Sequence, residues 1–502
     1  MAAGHPVTAE AGAAVLRDGG NAVDAAVAAV LMSFAAEAPL TGPGAGGFML
    51  VCGPDGRAHL LDFFVGAPGS GLADRSPAPL VPVDVAFSAE AVQVFNVGPS
   101  SCGVYGTPAG LAEALERFGS ATLGDLTGPA AGAAREGVEV SSVHEYLLDI
   151  LGPIFRSTPE ATALFEPRGR PARAGERLPM PELADLLERL GSEGPSFLYD
   201  GDVAAAASDW VLERGGLLTR ADLAAYRVEE RPPAEASFRG RRVLTNPPPS
   251  SGGILIADAL ELLDRIDRPG DTGALAEVIA STNRARDEEF IEGLSREGYA
   301  DTFLDPAALD RVAGEIGSRL GSTTHVSVMD GDGGCAAVTC SNGSCSGVVV
   351  PGTGLHLNNM LGEEDLNPGG FHRQAPGTRV PSMMAPTVVL RDGVPEIALG
   401  SAGSNRIRSA IVQTIAAAID GGLDAQDAVD SARLHVEGTL VDAEPGVDPD
   451  ALRTLEQRGW DLRRWGERNL YFGGVQAVSR AADGGVTGGG DPRRGGAVVL
   501  TD

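Results

Sequence analysis

Short apolar strands edged by glycine, alternating with alanine-rich helices, predict a layered domain that mixes α and β structure. Three observations carry this. The stretch His325-Val326-Ser327-Val328-Met329 alternates polar and apolar residues, as a half-buried strand does. Apolar residues recur at helical spacing in several segments of ten or more residues. Glycine-rich turns such as Asp330-Gly331-Asp332-Gly333-Gly334 punctuate the two patterns.

In chain order, Thr8 is placed to cap a helix over 8–16 that stops at Gly19-Gly20. Asn21 caps a second, alanine-rich helix, apolar nearly all round and therefore expected to be buried. Gly42-Pro43-Gly44-Ala45-Gly46-Gly47 fits the spacing G-x-G-x-x-G. It follows a helix and precedes the apolar strand 48–51, whereas a dinucleotide-phosphate fingerprint needs strand first and helix second. These glycines are expected to let backbone approach closely, not to bind a cofactor. Further helices are predicted over 109–118, 180–190, 203–214, 254–263, 274–292 and 407–420, and 167–175 reads as a surface loop.

At 502 residues the chain can bury a large core, and length alone suggests about two to four domains. A balance of 39 Lys+Arg against 68 Asp+Glu, net −29, argues against nucleic acid and anionic membranes as partners. There is no lysine, which excludes Schiff-base lysines, Ser-Lys dyads and a Walker lysine. Cys52, Cys102, Cys335, Cys340 and Cys345 are odd in number and lack zinc-ligand spacing, so buried thiols in a reducing compartment and no metal are expected. The start carries no charged and apolar leader pattern and no apolar run reaches a membrane span; a cytoplasmic location is the expectation.

The chemistry centres on the Ser322-Thr323 bond. Cutting it would leave Thr323 as an N-terminal threonine, whose α-amine, with a pKa near neutrality, can take the proton from its own hydroxyl. The surrounding strings are long and rare: Gly347-Val348-Val349-Val350-Pro351-Gly352-Thr353-Gly354, Leu357-Asn358-Asn359-Met360, Pro381-Ser382-Met383-Met384-Ala385-Pro386 and Gly400-Ser401-Ala402-Gly403-Ser404-Asn405-Arg406. So are Gly19-Gly20-Asn21-Ala22-Val23-Asp24, Asp222-Leu223-Ala224-Ala225-Tyr226, Pro247-Pro248-Pro249-Ser250-Ser251-Gly252-Gly253 and Asp491-Pro492-Arg493-Arg494-Gly495-Gly496. Together they resemble the γ-glutamyltransferase (γ-glutamyltranspeptidase) family of N-terminal nucleophile hydrolases over nearly the whole chain.

The resemblance implies an α+β fold, a four-layer αββα sandwich of the N-terminal nucleophile hydrolase type. It implies a precursor that cleaves itself between Ser322 and Thr323 into a large subunit, 1–322, and a small subunit, 323–502, which together form one unit. Thr323 would be the nucleophile, and backbone N–H groups at Gly403 and Ser404 would hold the oxyanion, with serine replacing the second glycine of the family's pair. Ser341 stands where the family has a threonine that positions the catalytic amine. A triad built on His325 with Asp330 or Glu363 is disfavoured, because the α-amine already supplies the base. Glu363-Glu364-Asp365 reads as a solvated acidic turn.

The acyl pocket departs from the family pattern. Phe64, in Asp62-Phe63-Phe64-Val65, stands at the arginine that grips an α-carboxylate, and a phenyl ring cannot make that bidentate pair. The family's serine pair becomes Ser382-Met383 and its Gln/Glu becomes Met360. Its asparagine falls on Gly343 unless a one-residue shift brings in Asn342, while Glu363 replaces an aspartate. Arg373, Arg406 or Arg408 could replace the missing arginine. Three readings follow: a γ-glutamyltransferase or hydrolase of glutathione-like amides, a same-family amidase or acylase with a different acyl group, and an unprocessed non-catalytic homologue. The expected partner is a small-molecule amide or γ-glutamyl substrate.

Overall fold

In the computed structural model, which describes residues 1–86, 92–266, 268–304 and 323–501, the strand Thr324–Met329 runs near the middle of a seven-stranded sheet. The order across that sheet is Ala497–Val498, Ala2–Ala3, Thr324–Met329, Cys335–Ser341, Gly46–Cys52, Ala58–Phe63 and Glu229–Arg231. A second sheet of six strands runs Val486–Gly490, Gly474–Arg480, Val394–Ala402, Thr387–Arg391, Arg241–Thr245, Ala234–Phe238. Every pairing in both is antiparallel.

Alternating strands and helices would ordinarily build a parallel sheet, and here tight turns decide otherwise. Arg239-Gly240 and Asp392-Gly393 all have positive φ, the conformation of two-residue hairpin turns whose twist matches that of the strands. The strand pairs they join must therefore be antiparallel neighbours. The class is α+β.

Side chains alternate across the first sheet. Met49, Val51, Leu61, Val326 and Val328 pack towards a helical layer, while Phe48, Leu50 and Leu60 meet Leu244, Val388, Leu390, Ala398 and Val478. That second set is the seam between the sheets. Helices Pro6–Arg17, Ala22–Ala36, Thr107–Phe118 and Leu123–Glu136 cover one outer face, and Ser251–Ile266 and Arg406–Ile419 cover the other. The architecture is the αββα sandwich.

Asn21 caps its helix as expected, with Asp24 completing a reciprocal box, and all 15 residues of Ala22–Ala36 are buried. The first helix is corrected: Pro6 takes the opening position, where a missing N–H costs nothing, and His5 Nδ1 accepts from Val7 N at 3.2 Å. Thr8 is not its cap; its hydroxyl donates to Glu37 at 2.8 Å. The helix expected over 274–292 breaks into Thr272–Arg284 and Glu288–Gly293, because Asp287 accepts from Phe290 N at 2.8 Å and starts a new helix. All five cysteines are buried and unpaired. Among the described residues no helix is long and apolar enough to cross a membrane.

Candidate active site

Thr323 is buried and stands immediately before the strand Thr324–Met329. Thr324 pairs with Cys340 across the ladder, so extending the register by one residue sets Thr323 beside Ser341. Ser341 Oγ accepts from Gly343 N at 2.7 Å, which fixes the start of the turn that follows. Ser322, the other side of the expected cleavage bond, lies outside the described residues.

Thr323, Ser341 and Gly343 open onto a cavity of about 40 Å³, room for a few waters, at one end of the seam between the sheets. Its other walls are Phe64, Met360, Glu363, Asp365, Leu366, Ser382, Met383, Met384, Ser404 and Ile407. Eight of the sequence-predicted site residues, Thr323, Ser341, Ser404, Phe64, Met360, Glu363, Ser382 and Met383, therefore converge. Asn342 does not: its backbone N–H bonds to Leu40 O at 3.1 Å and its amide lies against Gly42. Gly343 takes the place in the wall, and the one-residue shift is not made.

The turn after Val394–Ala402 holds Gly403 and Ser404, the residues expected to supply the oxyanion donors. Gly403, at φ 121°, lies outside the cavity wall and so close to Gly473 that a β-carbon would come within 2.9 Å of its Cα. Ser404 has φ 50°, a left-handed conformation costing a non-glycine residue roughly 1–3 kcal/mol. The serine hydroxyl meets part of that cost by donating to Asp365 Oδ2 at 2.5 Å. Asn405 stands at the N-cap of Arg406–Ile419 without capping it. Instead its Nδ2 donates to Asp365 Oδ1 at 3.3 Å and its Oδ1 accepts from Arg286 at 3.2 Å.

Phe64 is fully buried, with its ring stacked on Phe48 at 5.3 Å between centroids. Its backbone is pinned at both ends: N–H to Asp62 at 2.9 Å, and C=O to the Tyr226 hydroxyl at 2.8 Å. Asp62 is itself paired with Arg231 and Arg379. The Pro247–Gly253 string supports the opposite wall. Ser250 and Ser251 hydroxyls donate to Ser382 O, and a β-carbon on Gly252 would lie 2.1 Å from Met383 O. No arginine lines the cavity among the described residues. Arg373 is exposed, Arg406 stacks on Tyr471 at 4.6 Å, and Arg408 is buried beside Arg286, Arg406 and Glu437.

The acidic run is not a solvated turn. Glu363 is buried, accepts from Ser344 N at 2.9 Å and Ser344 Oγ at 3.0 Å, and burial pushes its carboxyl up to about 7. Asp365 is half-buried, and withdrawal from water raises its carboxyl against the pull of Arg286. Glu37, which sequence reading passed over, accepts from Thr8 and, at 2.5 Å, from Thr324 Oγ1, the residue next to Thr323. Burial pushes it to about 7 as well. His325 forms no triad: it bonds to Thr339 at 2.7 Å and Ser327 at 2.9 Å, and burial lowers it to about 3. Its ring occupies the space a side chain at Gly400 would need, with a β-carbon there 2.3 Å from Cε1.

A larger groove of about 900 Å³ lies over helices Pro6–Arg17 and Leu123–Glu136. Of its three carboxylates Glu10 pairs with Arg17, Asp125 completes the capping box with Thr122, and Asp18 ends the first helix; no histidine, cysteine or basic side chain joins them in the lining. Among the described residues no group of three or more His, Cys, Asp or Glu side chains is placed to hold a metal ion.

Known proteins share this fold and much of this sequence. The Gamma-glutamyltranspeptidase family model matches residues 8–501. "Acylase ACY 1 proenzyme" of Pseudomonas sp. (strain SE83) is 33% identical over 96% of this chain and 90% of its own length. "Glutathione hydrolase proenzyme" of Escherichia coli (strain K12) is 31% identical over 96% and 88%. The solved structure described as "Crystal structure of cephalosporin acylase from Bacillus halodurans" superposes with a TM-score of 0.83 at 26% identity, over 100% of this chain and 95% of that one. The chain thus belongs to the γ-glutamyltranspeptidase family of N-terminal nucleophile hydrolases.

Proposed function

We propose that this protein is a self-processing amide hydrolase or acyltransferase that forms its acyl-enzyme on Thr323 and selects an uncharged, largely apolar acyl group. The observation that carries the specificity is the cavity wall: Phe64, Met360, Leu366, Met383, Met384 and Ile407, with two carboxyl groups and no arginine among the described residues. An α-carboxylate entering this wall would lose its hydration and meet Glu363 and Asp365 without a cation to pair with.

In self-processing, the Thr323 hydroxyl adds to the Ser322 carbonyl carbon and the C–N bond breaks. Nitrogen takes up the proton that the hydroxyl gave up, and water hydrolyses the resulting ester. The products are fragments of 322 and 180 residues and a free Thr323 amine. That amine then serves as base. Thr323 Oγ1 adds to a substrate amide, N–H groups at Gly403 and Ser404 hold the oxyanion, and the leaving amine departs with a proton. Water or a second amine releases the acyl group. Ser341, beside Thr323 in the extended register, holds the amine in place.

A γ-glutamyl donor is the second reading. It is favoured by Glu363, a carboxyl group in the cavity wall where the family binds the donor's amine. Kinetics with γ-glutamyl anilide and a series of simple acyl anilides separate the two. The expected outcome is a higher kcat/KM for the neutral acyl series; a preference for the γ-glutamyl compound would favour the second reading. A protein that stays one intact chain and turns over neither would be the non-catalytic homologue.

A further inference from the structure

We infer that Asp365 is a positioning residue for the oxyanion turn, holding Ser404 in the left-handed conformation that aims the turn's N–H groups at the reacting carbonyl. This rests on the Thr323 chemistry proposed above.

Ser404 needs such a brace because a side-chain-bearing residue at φ 50° tends to relax out of that region. Asp365 grips the turn at two successive residues: Oδ2 accepts from Ser404 Oγ at 2.5 Å and Oδ1 from Asn405 Nδ2 at 3.3 Å. The grip is itself anchored. Arg286, buried, donates to the backbone oxygen of Asp365 at 3.3 Å and to Asn405 Oδ1 at 3.2 Å, tying the acidic segment and the turn to a third part of the chain. Ser404 and Asp365 both face the cavity that Thr323 opens onto, so a shift of this turn moves the oxyanion donors directly. A glycine at 404 would adopt the same conformation unaided. The carboxylate and the serine therefore form one device, in which the hydroxyl matters because it is the handle Asp365 holds.

The test is a double-mutant cycle in full-length, self-processed protein, reading kcat and KM separately with the best donor from the anilide series. Asp365→Ala in the native Ser404 background is expected to lower kcat roughly 10- to 100-fold, with KM moving less than about threefold, as for misaligned oxyanion donors. In a Ser404→Gly background, the same Asp365→Ala change is expected to cost less than about twofold, because glycine holds the left-handed conformation unaided and only the longer contact to Asn405 is lost. Asp365→Asn, which keeps one acceptor, falls between. If Asp365→Ala does not fold, Asp365→Leu, closer in volume, replaces it. Equal losses in both backgrounds, or a loss confined to KM, would overturn the inference and make Asp365 a substrate contact or a plain structural residue. An inactive wild type would instead strike at the proposed acyl chemistry, which keeps the two failures apart.

Discussion

The two halves of the cavity are held by different forces. Around Thr323 the positions are fixed by backbone: strand register sets Thr323 beside Ser341, and Ser341 Oγ ties down Gly343 at 2.7 Å. The facing wall is fixed by packing, with Phe64 stacked on Phe48 and two methionines, Met383 and Met384, carried on a backbone braced by Ser250 and Ser251. Backbone hydrogen bonds tolerate little displacement, whereas apolar side chains, methionine above all, can be exchanged at modest cost. The difference teaches where a family keeps its chemistry and where it can change its substrate.

The strongest way to break the comparison is at Thr323, the proposed nucleophile. Thr323→Ala is expected to remain a single chain on a denaturing gel and to show no turnover, whereas wild type yields fragments of 322 and 180 residues. Intact wild-type protein that hydrolysed an amide as fast as the variant would remove Thr323 from its role.

The facing wall should yield a change of preference instead of a loss. Phe64→Arg is expected to shift the ratio of kcat/KM for γ-glutamyl over neutral acyl donors upward by about 10- to 100-fold, since a charge-assisted bidentate contact contributes roughly 1.5–3 kcal/mol. The ratio is the readout because a guanidinium in a fully buried site also lowers stability. If the ratio falls, the carboxylate is bound elsewhere, and Arg373, Arg406 and Arg408 are the next positions to replace.

Glu37 sharpens the comparison through stability. Its carboxyl titrates near 7 in the fold, above its ordinary 4.5, because it is buried. The native state then holds a proton that the unfolded chain releases, so this group's contribution to stability is fully present below about 4.5 and falls as pH rises through about 7. Glu37→Gln should remove up to roughly 3 kcal/mol of that decline. Urea unfolding at pH 5 and pH 8 would show it as a smaller difference for the variant than for wild type. Identical differences would mean the carboxyl titrates normally.

The smallest expected effect is none. Exhaustive chelation should leave turnover unchanged, because an amine-activated threonine needs no metal. Activity lost to the chelator and restored by one defined metal would refute this.

Much of this was legible in the chain, for local reasons. Asn21 and Asp24 announce a cap, and an alternating run announces the strand behind Thr323. Phe64, Met360 and Met383 were identifiable as wall residues because motif order survives even where residue type changes. Asp365 was not legible. An acidic run looks solvated until a turn 39 residues further on folds against it, and no local pattern encodes that contact. The same holds for Glu37, whose partner Thr324 is 287 residues away. Asn342 is the opposite case: its chemistry suits a binding role, but its amide lies beside Gly42 while Ser341 and Gly343 on either side of it line the cavity.

The order of strands gives the proposed 322–323 cut an unusual physical meaning. Segments from before and after that bond lie side by side at three seams of the first sheet, Ala2 with Val498, Ala3 with Val326 and Ser341 with Gly46, and at one seam of the second, Leu244 with Val388. Nicked there, the molecule would be two interwoven chains, and separating them would mean tearing ladders out of both sheets. The native form should hold together at any dilution that leaves it folded. Its recovery after denaturation, however, would become a bimolecular encounter that slows on dilution, whereas the uncut precursor would refold as a single molecule.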